Sequence, residues 1–215
     1  MPGMNWSLLD GLPDDQRRLV LSQARRRRYG RREVIFHEGD AGDAVHLIEK
    51  GHVALTVTTP MGDAALLRVV RPGEFFGELV LLSAGPRSAT AASIEGAETL
   101  MLHREVFDEL RRRSPAAQDV LATALANEIR RLAGALSEAL YLSAEQRLWR
   151  RLAEMAAVFD GAIPLTQDEL AQLAGTTRQT ANRLLREADT AGAIELGRGR
   201  CTVVDAGWVA RKARS

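Results

Sequence analysis

Cysteine is nearly absent from this chain of 215 residues, since Cys201 is the only one. A single thiol cannot form an internal disulfide. It also cannot supply the several thiolates that bind an iron–sulfur cluster or a cysteine-based zinc ion. The cysteine count therefore excludes an iron–sulfur cluster and a multi-cysteine zinc site. We also expect no other metal ion as a cofactor.

Long hydrophobic runs and an excess of one charge are also missing. No run reaches the roughly 18 apolar residues that a transmembrane helix needs, and the segment MPGMNWSLLDGLPDD lacks the features of a secretory signal. These absences predict a cytoplasmic protein with no membrane partner. The net charge is only +1, so any affinity for nucleic acid must come from the local placement of arginines.

Hydrophobic residues are plentiful at 46% of the chain, which is enough for one large or two small packed domains. After short helices near the N-terminus, brief β-type runs alternate with glycine-bearing turns from Glu33 to Leu102. This pattern predicts an antiparallel β-roll over about residues 28–103. The basic run Arg25–Arg28 precedes it, and we interpret that run as a solvated surface.

A long helix is predicted from Ala116 to Tyr141, after Ser114 and Pro115 mark its start. Its apolar residues recur every three or four positions. Such a seam favours pairing with a second copy of the chain, although burial along the chain's own roll is the alternative and both can hold. The predicted dimer seam comprises Leu121, Leu125, Ile129, Leu132, Leu136 and Leu140.

The segment LTQDELAQLAGTTRQTANRLLRE, residues 165–187, predicts two short helices joined by a tight turn. Thr166 and Glu169 have the spacing of a capping box, and Gly175 suits the turn. The second helix leaves Arg178, Gln179, Asn182 and Arg183 outward. A helix, a glycine turn and a helix that begins with hydrogen-bonding side chains is the geometry that enters a DNA major groove. An ordinary helical hairpin with a solvated face is the alternative.

The flanking segments complete an α+β fold. Ser143 and Gln146 predict a capping box that starts a helix running to about Phe159, so Tyr141–Leu142 becomes a hinge. The segment AIELGRGRCTVVD predicts two short strands that form a wing, and the tail GWVARKARS is expected to fray after one turn. The predicted divisions are an effector domain, a dimerisation helix with hinge and a DNA-binding domain, at residues 1–113, 114–142 and 143–215.

A β-roll, a long helix and a winged helix-turn-helix in this order resemble the cyclic-AMP receptor protein / fumarate-nitrate regulator (Crp–Fnr) family of bacterial transcription factors. The resemblance covers nearly the whole chain and is sharpest in FGELVLLSAGPRSAT, residues 76–90, and TTRQTANR, residues 176–183. It implies a homodimeric, allosteric transcription regulator that is not an enzyme. Its implied partners are double-stranded DNA with a palindromic site and RNA polymerase.

Residues 76–90 resemble the family's phosphate-binding cassette for a cyclic nucleotide. Arg87 offers a planar fork of donors to a phosphate, and Glu78 can accept a hydrogen bond from the ribose 2′-hydroxyl. Alternatively, these two side chains pair with each other across an empty loop. The predicted effector-binding residues are Gly77, Glu78, Leu79, Arg87, Ser88, Ala89, Leu132 and Ala133.

The base end of the predicted pocket departs from the family. The cyclic-AMP binders hydrogen-bond adenine with an adjacent threonine and serine, and counting back from Tyr141 places Leu132 and Ala133 there. Three alternatives stay open: weak binding of cyclic AMP, preference for another nucleotide or a related small effector, and an empty pocket in a constitutively active regulator. A nucleotide-sensor module without sequence-specific DNA binding is a more distant one. Haem is not expected, because its candidate axial ligands look like surface or half-buried strand residues: His37, His46, His52 and His103.

The resemblance also assigns the residues that read DNA. The cyclic-AMP receptor uses an arginine, a glutamate and a second arginine, which correspond to Arg178, Gln179 and Arg183. Arginine can bond guanine in a bidentate manner, whereas glutamine cannot supply a carboxylate to cytosine. We expect a half-site related to TGTGA with altered preference opposite Gln179. The predicted phosphate contacts are Thr166, Thr177, Thr180, Arg186, Arg198 and Arg200.

Overall fold

The computed structural model describes residues 6–83 and 85–214. Outside it lie the start of the N-terminal segment (residues 1–5), Ala84 of the predicted cassette and Ser215 of the predicted tail. The chain forms two compact units, Met1–Val57 with Arg68–Arg131 and Thr58–Leu67 with Leu132–Ser215. This division falls inside the long helix, so the three-part division at residues 113/114 and 142/143 stays a prediction.

The β-roll predicted from the glycine-separated runs is confirmed. Its strands form one antiparallel sheet in the order β1–β6–β3–β4, and β2 also pairs with β6 while β5 pairs with β3. Helix α1, Asp14–Ser22, precedes it. The strands are β1 Arg25–Tyr29, β2 Val34–Phe36, β3 Ala44–Thr58, β4 Ala64–Val70, β5 Phe75–Phe76 and β6 Thr90–His103.

The arginine run is a strand, which corrects the predicted start of the roll. Residues Arg25 to Tyr29 pair in register with Met101 to Ala97 of β6. Four successive arginines can form a strand because β6 supplies the backbone partners while the side chains stay exposed. Two guanidinium nitrogens of Arg26 lie 2.7 Å from the Glu49 carboxylate. The predicted solvated surface is therefore confirmed, but as an edge strand.

Helix α2, Arg104–Arg113, and helix α3, Pro115–Tyr141, follow the sheet. Leu121 of α3 is buried in the first unit's own core with Leu8 and Phe107. This corrects its assignment to the dimer seam, because the beginning of α3 uses its apolar stripe inside the chain. Leu125 is half-buried, whereas Ile129, Leu132, Leu136 and Leu140 are 52–66% exposed.

The second unit is a winged helix-turn-helix. It holds the helices α4 Ala144–Val158, α5 Gln167–Leu173, α6 Arg178–Thr190 and α7 Ala206–Lys212. Its three-stranded sheet has the order β7–β9–β8, formed by Ala162–Ile163, Arg200–Val203 and Ile194–Gly197. The hairpin of β8 and β9 is the predicted wing.

The helix starts in this unit follow the predicted caps. Both side-chain-to-backbone bonds of a capping box are present for Ser143 with Gln146 and for Thr166 with Glu169. The tail prediction is wrong, because α7 runs for seven residues. The Asp205 side chain caps it, and the Trp208 ring packs edge-on against Trp149 at a centroid distance of 5.2 Å. Within the described residues, no helix combines the length and apolar character needed to cross a membrane.

Candidate functional site

Arg87 places a buried guanidinium inside the β-roll. Its backbone N–H donates to the Asp40 carbonyl at 2.8 Å, and its carbonyl accepts from the Gly39 N–H at 2.9 Å. The side chain is 7% exposed, and its Nη1 donates to the Gly77 carbonyl at 3.1 Å. The guanidinium carbon lies 4.1 Å from the centre of the Phe36 ring. One carbonyl and one aromatic face therefore hold this cation, and its buried Nε has no hydrogen-bond partner within residues 6–83 and 85–214.

Two glycines make room for this guanidinium. A Cβ added at Gly42 would lie 2.9 Å from Arg87 Nε, and one added at Gly77 would lie 2.5 Å from Nη1. Gly77 also has a φ of +76°, which favours glycine at the start of the 3₁₀ turn Glu78–Leu81. The backbone is thus fitted around the guanidinium, and a side chain at either glycine would displace it.

The Glu78 carboxyl lies close to this site without pairing directly with Arg87 in the described part of the chain. Burial raises the pKa of Glu78, and the nearby Glu128 raises it further, while Arg68 and Arg131 act in the opposite direction. Burial lowers the pKa of Arg87. Both groups are therefore partly desolvated, and each retains hydrogen-bonding capacity for a ligand.

A cavity of about 140 Å³ adjoins Glu78 within the first unit. Its apolar lining includes Phe75 and Leu125. The polar side chains around it form two ion pairs, Arg68 with Glu74 at 3.0 Å and Arg131 with Glu128 at 2.6 Å. Sequence analysis missed this polar cluster, although the three-residue spacing of Glu128 and Arg131 places them on one helix face. The polar lining residues are Ser7, Arg68, Glu74, Glu78, Asn127, Glu128 and Arg131.

The other predicted effector residues divide into two groups. Leu79 lies in the 3₁₀ turn and is 41% exposed, while Ser88 is exposed and Ala89 is buried. Leu132 and Ala133 are both exposed, and the described cavity lining from α3 ends at Arg131. The single chain thus brings Gly77, Glu78 and Arg87 together, and leaves Leu132 and Ala133 outside this cavity.

His46 is buried in the roll, which corrects its expected surface or half-buried position. Its ring stacks on Phe76 at a centroid distance of 5.0 Å, and Nδ1 lies 3.1 Å from the Thr99 hydroxyl. Burial, with a contribution from the positive charge of Arg87, lowers the pKa of His46 to about 3. The imidazole is therefore neutral at physiological pH.

This depressed pKa predicts a loss of stability in mild acid. An unfolded histidine takes up a proton below a pKa of about 6.5, whereas folded His46 excludes it down to a pKa of about 3. The free energy of unfolding should therefore decrease as the pH is lowered through this window, by at most about 1.4 kcal/mol per pH unit. Urea titrations at pH 7.5 and 5.0 should show a larger loss for the wild-type protein than for His46→Phe. Equal losses would show that another group controls the acid sensitivity.

Helix α6 presents the predicted base-reading side chains to solvent. Arg178, Gln179 and Arg183 are all exposed. Arg178 Nε lies 3.0 Å from Asp168, and Arg183 Nη1 lies 2.8 Å from Glu187. Exposed pairs of this kind contribute roughly 0–1 kcal/mol, so both arginines can exchange their partners for a ligand at little cost.

Asn182 belongs to the same surface but was not among the predicted base-reading residues. It lines one shallow concavity with Arg178, Gln179, Arg183 and Arg186. Its Oδ1 is buried and has no hydrogen-bond partner among the described residues. The signal was available in its spacing, since residue 182 follows 178 by four positions and 179 by three. A carboxamide at this position can bond the edge of adenine.

The predicted phosphate contacts are of two kinds. Arg186, Arg198 and Arg200 are exposed. The Thr166 hydroxyl instead donates to Glu169 at 2.9 Å, and the Thr177 hydroxyl donates to Thr180 Oγ1 at 3.0 Å. These two hydroxyls cap helices, so their contacts with phosphate remain predictions that require the hydroxyls to change partners.

Metal chemistry receives no support from the described residues, which contain no group of three or more histidine, cysteine or acidic side chains suited to an ion. The thiol of Cys201 is buried in β9, and burial raises its pKa to about 12. The thiol is therefore protonated and unreactive at neutral pH.

Two protein-family models match separate parts of this chain. Residues 26–114 match the model of the cyclic nucleotide-binding domain, and residues 146–208 match the Crp-like helix-turn-helix domain. The cyclic AMP receptor protein of Thermus thermophilus is 37% identical over 202 residues, which are 93% of each chain. The CRP-like cAMP-activated global transcriptional regulator of Mycobacterium tuberculosis is 29% identical over 194 residues, 86% of this chain and 87% of its own. The crystal structure of Thermus thermophilus catabolite activator protein matches 97% of this chain and 98% of its own, with 35% identity and a TM-score of 0.57.

Proposed function

The chain belongs to the Crp–Fnr family of transcription regulators, and from this membership we propose that it is a cytoplasmic homodimer that binds a palindromic DNA site under control of a cyclic nucleotide in its β-roll. The observation that carries the effector part is Arg87, a buried guanidinium that has an open Nε and no bonded carboxylate among the residues that the structure describes. RNA polymerase is the partner through which such a regulator acts.

The residues around Arg87 fit a cyclic nucleotide. A cyclic phosphate supplies the anion that this guanidinium lacks, and charge-assisted hydrogen bonds to it are stronger than neutral ones. The left-handed turn at Gly77 brings backbone close to Arg87 without a Cβ in the way. Glu78 can accept from a ribose hydroxyl. The same cradle would serve cyclic AMP and cyclic GMP, because both carry this phosphate and ribose.

The base end of the pocket decides between nucleotides. Leu132 and Ala133 offer no side-chain hydrogen bond, but the polar cluster beside Glu78 does. Arg68, Glu128 and Arg131 reach the cavity from β4 and α3. Each base atom left without a partner would cost about 0.5–1.5 kcal/mol, so the nucleotide whose edge matches these groups binds more tightly.

The proposed mechanism is a population shift carried by α3. This helix lines the cavity at Glu128 and Arg131 and ends at Tyr141, beside the hinge. A nucleotide that binds one arrangement of the dimer more tightly will raise the population of that arrangement. The favoured arrangement would place the two α6 helices about 34 Å apart, one turn of DNA.

A constitutively active regulator is the second candidate function, and the small volume and the internal ion pairs of the cavity favour it. At about 140 Å³ it is smaller than the roughly 300–1,000 Å³ of ordinary ligand pockets. The pairs Arg68–Glu74 and Arg131–Glu128 already satisfy part of its charge internally. In this alternative the exposed seam of α3 holds the active dimer without a ligand.

The test combines calorimetry with DNA binding. Purified protein is titrated with cyclic AMP and with cyclic GMP, and fluorescence anisotropy then measures its affinity for a labelled palindromic TGTGA duplex and for a scrambled duplex. The proposal expects saturable nucleotide binding and tighter binding of the palindrome when nucleotide is present. Specific DNA binding with no heat from either nucleotide would establish the constitutive alternative. Nucleotide binding with equal affinity for both duplexes would instead identify a sensor module.

Gln179 should change the half-site that the protein selects. We expect wild-type protein to discriminate weakly at the base facing Gln179, because its amide oxygen can accept from cytosine and its whole amide can bond adenine. Gln179→Glu should strengthen the preference for cytosine there by about 1–3 kcal/mol, or roughly 5- to 150-fold. Competition binding with the four bases at that position measures this effect.

The neighbouring Asn182→Ala variant is the matched control for this experiment. It lies on the same face of α6 and should leave the preference at the Gln179 position unchanged. If wild-type protein already selects an unaltered TGTGA at full stringency, the assignment of Gln179 to that base is wrong.

A further inference from the structure

Arg147 lies in the first turns of α4, five residues after the hinge residue Leu142. Its guanidinium donates three hydrogen bonds through three different nitrogens. Nη1 donates to the Leu142 carbonyl at 2.7 Å, Nε to the Ala174 carbonyl at 2.9 Å, and Nη2 to the Gly175 carbonyl at 2.9 Å. All four residues belong to the second unit.

The three acceptors sit where two helices end. Leu142 follows the last residue of α3, and Ala174 is the C-terminal cap of α5. Carbonyls at helix ends lack intrahelical partners and carry the negative end of the helix dipole. A guanidinium between two such ends both satisfies the carbonyls and balances their charge.

The geometry connects the hinge to the DNA-binding turn. Gly175 has a φ of +60° and forms the turn of the helix-turn-helix, and α6 begins three residues later at Arg178. On the other side, Ser143 caps α4 immediately after Leu142. A change at the hinge therefore either carries the turn with it or breaks bonds to Arg147.

We infer that Arg147 is a positioning residue that mechanically couples the predicted hinge, Tyr141–Leu142, to the start of the DNA-reading helix. Lysine cannot replace it, because an ammonium is a single point of charge and cannot span three carbonyls as a planar fork does. The coupling itself does not depend on the proposed function. Its functional consequence does: if a nucleotide signal arrives along α3, it reaches the DNA through the Arg147 side chain.

The coupling itself can be tested without any nucleotide by hydrogen exchange. Ser143→Ala removes the cap of α4 and loosens the hinge. In a background with Arg147, it should speed exchange of the Gly175 and Thr176 amides, which are bonded to the Gln172 and Ala171 carbonyls. In an Arg147→Lys background, those amides should exchange faster than in the wild-type protein even without Ser143→Ala. Adding Ser143→Ala should then raise their exchange rates by no more than about twofold. Equal effects of Ser143→Ala in both backgrounds would overturn the inference.

The functional consequence is measured by the ratio of DNA affinities with and without nucleotide. Arg147→Lys should reduce this ratio by about tenfold, within the usual range of allosteric coupling, while nucleotide affinity stays at the wild-type value. Arg112→Lys is the matched control, because Arg112 pairs with Glu109 on the surface of α2, outside the second unit. A wild-type ratio in Arg147→Lys would contradict the inference, as would loss of DNA binding both with and without nucleotide. If wild-type protein shows no nucleotide response, the proposed function fails, and the hydrogen-exchange result still decides the role of Arg147.

Discussion

Replacing Arg87 with alanine is expected to weaken the binding of cyclic AMP and cyclic GMP by about 100-fold or more. The phosphate would lose at least two charge-assisted hydrogen bonds, each of which contributes about 1.5–3 kcal/mol. Calorimetric titration of both nucleotides into wild-type protein and the variant measures the loss. The effect should be the same for the two nucleotides, because the phosphate is common to both.

The surroundings of Arg87 explain why lysine should not rescue this site. The guanidinium carbon lies 4.1 Å from the centre of the Phe36 ring, and the backbone at Gly42 and Gly77 is fitted closely to the guanidinium nitrogens. A lysine ammonium keeps the charge but loses the fork and its Nε donor. Arg87→Lys should therefore bind nucleotide more tightly than Arg87→Ala but well below the wild-type level.

Folding and DNA binding provide the controls for the Arg87 variants. In the described part of the chain no carboxylate is bonded to the buried guanidinium, so its removal should cost the roll little stability. Thermal unfolding and DNA affinity without nucleotide should both remain close to wild type. Normal nucleotide binding by Arg87→Ala would show that Arg87 does not contact the nucleotide. The polar cluster beside Glu78 would then be the next candidate site.

Local chemistry made much of this fold predictable. Capping boxes need only two side chains three residues apart, so Ser143 with Gln146 and Thr166 with Glu169 fixed two helix starts from sequence. The long helix and the wing also followed from spacing and glycines. The assignment of Arg87 to a phosphate-binding loop rests instead on the resemblance of residues 76–90 to the family's cassette.

The errors share a different cause, because each depends on partners distant in sequence. Arg25–Arg28 forms a strand only because β6 offers the backbone bonds. The tail becomes a helix because Trp208 finds Trp149, and Leu121 leaves the seam because Leu8 and Phe107 surround it. The polar cluster around the cavity was missed for the same reason, since Arg68 on β4 meets α3 only in the folded roll.

The second prediction with a large expected effect concerns dimerisation through the exposed part of α3. Ile129, Leu132, Leu136 and Leu140 follow one another at helical spacing and are more than half exposed in the single chain. Burying a leucine or isoleucine stabilises by about 1.5–3 kcal/mol, and a two-fold dimer would bury this row twice. Such a stripe is unusual on a monomer, and pairing with a second copy removes it from water.

Leu136→Glu should therefore convert the dimer into a monomer at micromolar concentration. Two like charges would face each other across the axis, and two buried leucines would be lost. Sedimentation velocity measures the assembly, and Ser137→Glu is the matched control because it adds the same carboxylate about 100° around the helix. A Leu136→Glu protein that still sediments as a dimer would show that the seam lies elsewhere.

The same variant should lose DNA affinity without any change in its base-reading side chains. A dimer binds the second half-site intramolecularly, which typically tightens binding by about 10² to 10⁴. Leu136→Glu should therefore bind a palindrome little better than a single half-site, whereas wild-type protein and Ser137→Glu should strongly prefer the palindrome. If Leu136→Glu retained that preference as a monomer, palindrome recognition would not require the α3 seam, and the proposed population shift along α3 would lose its basis.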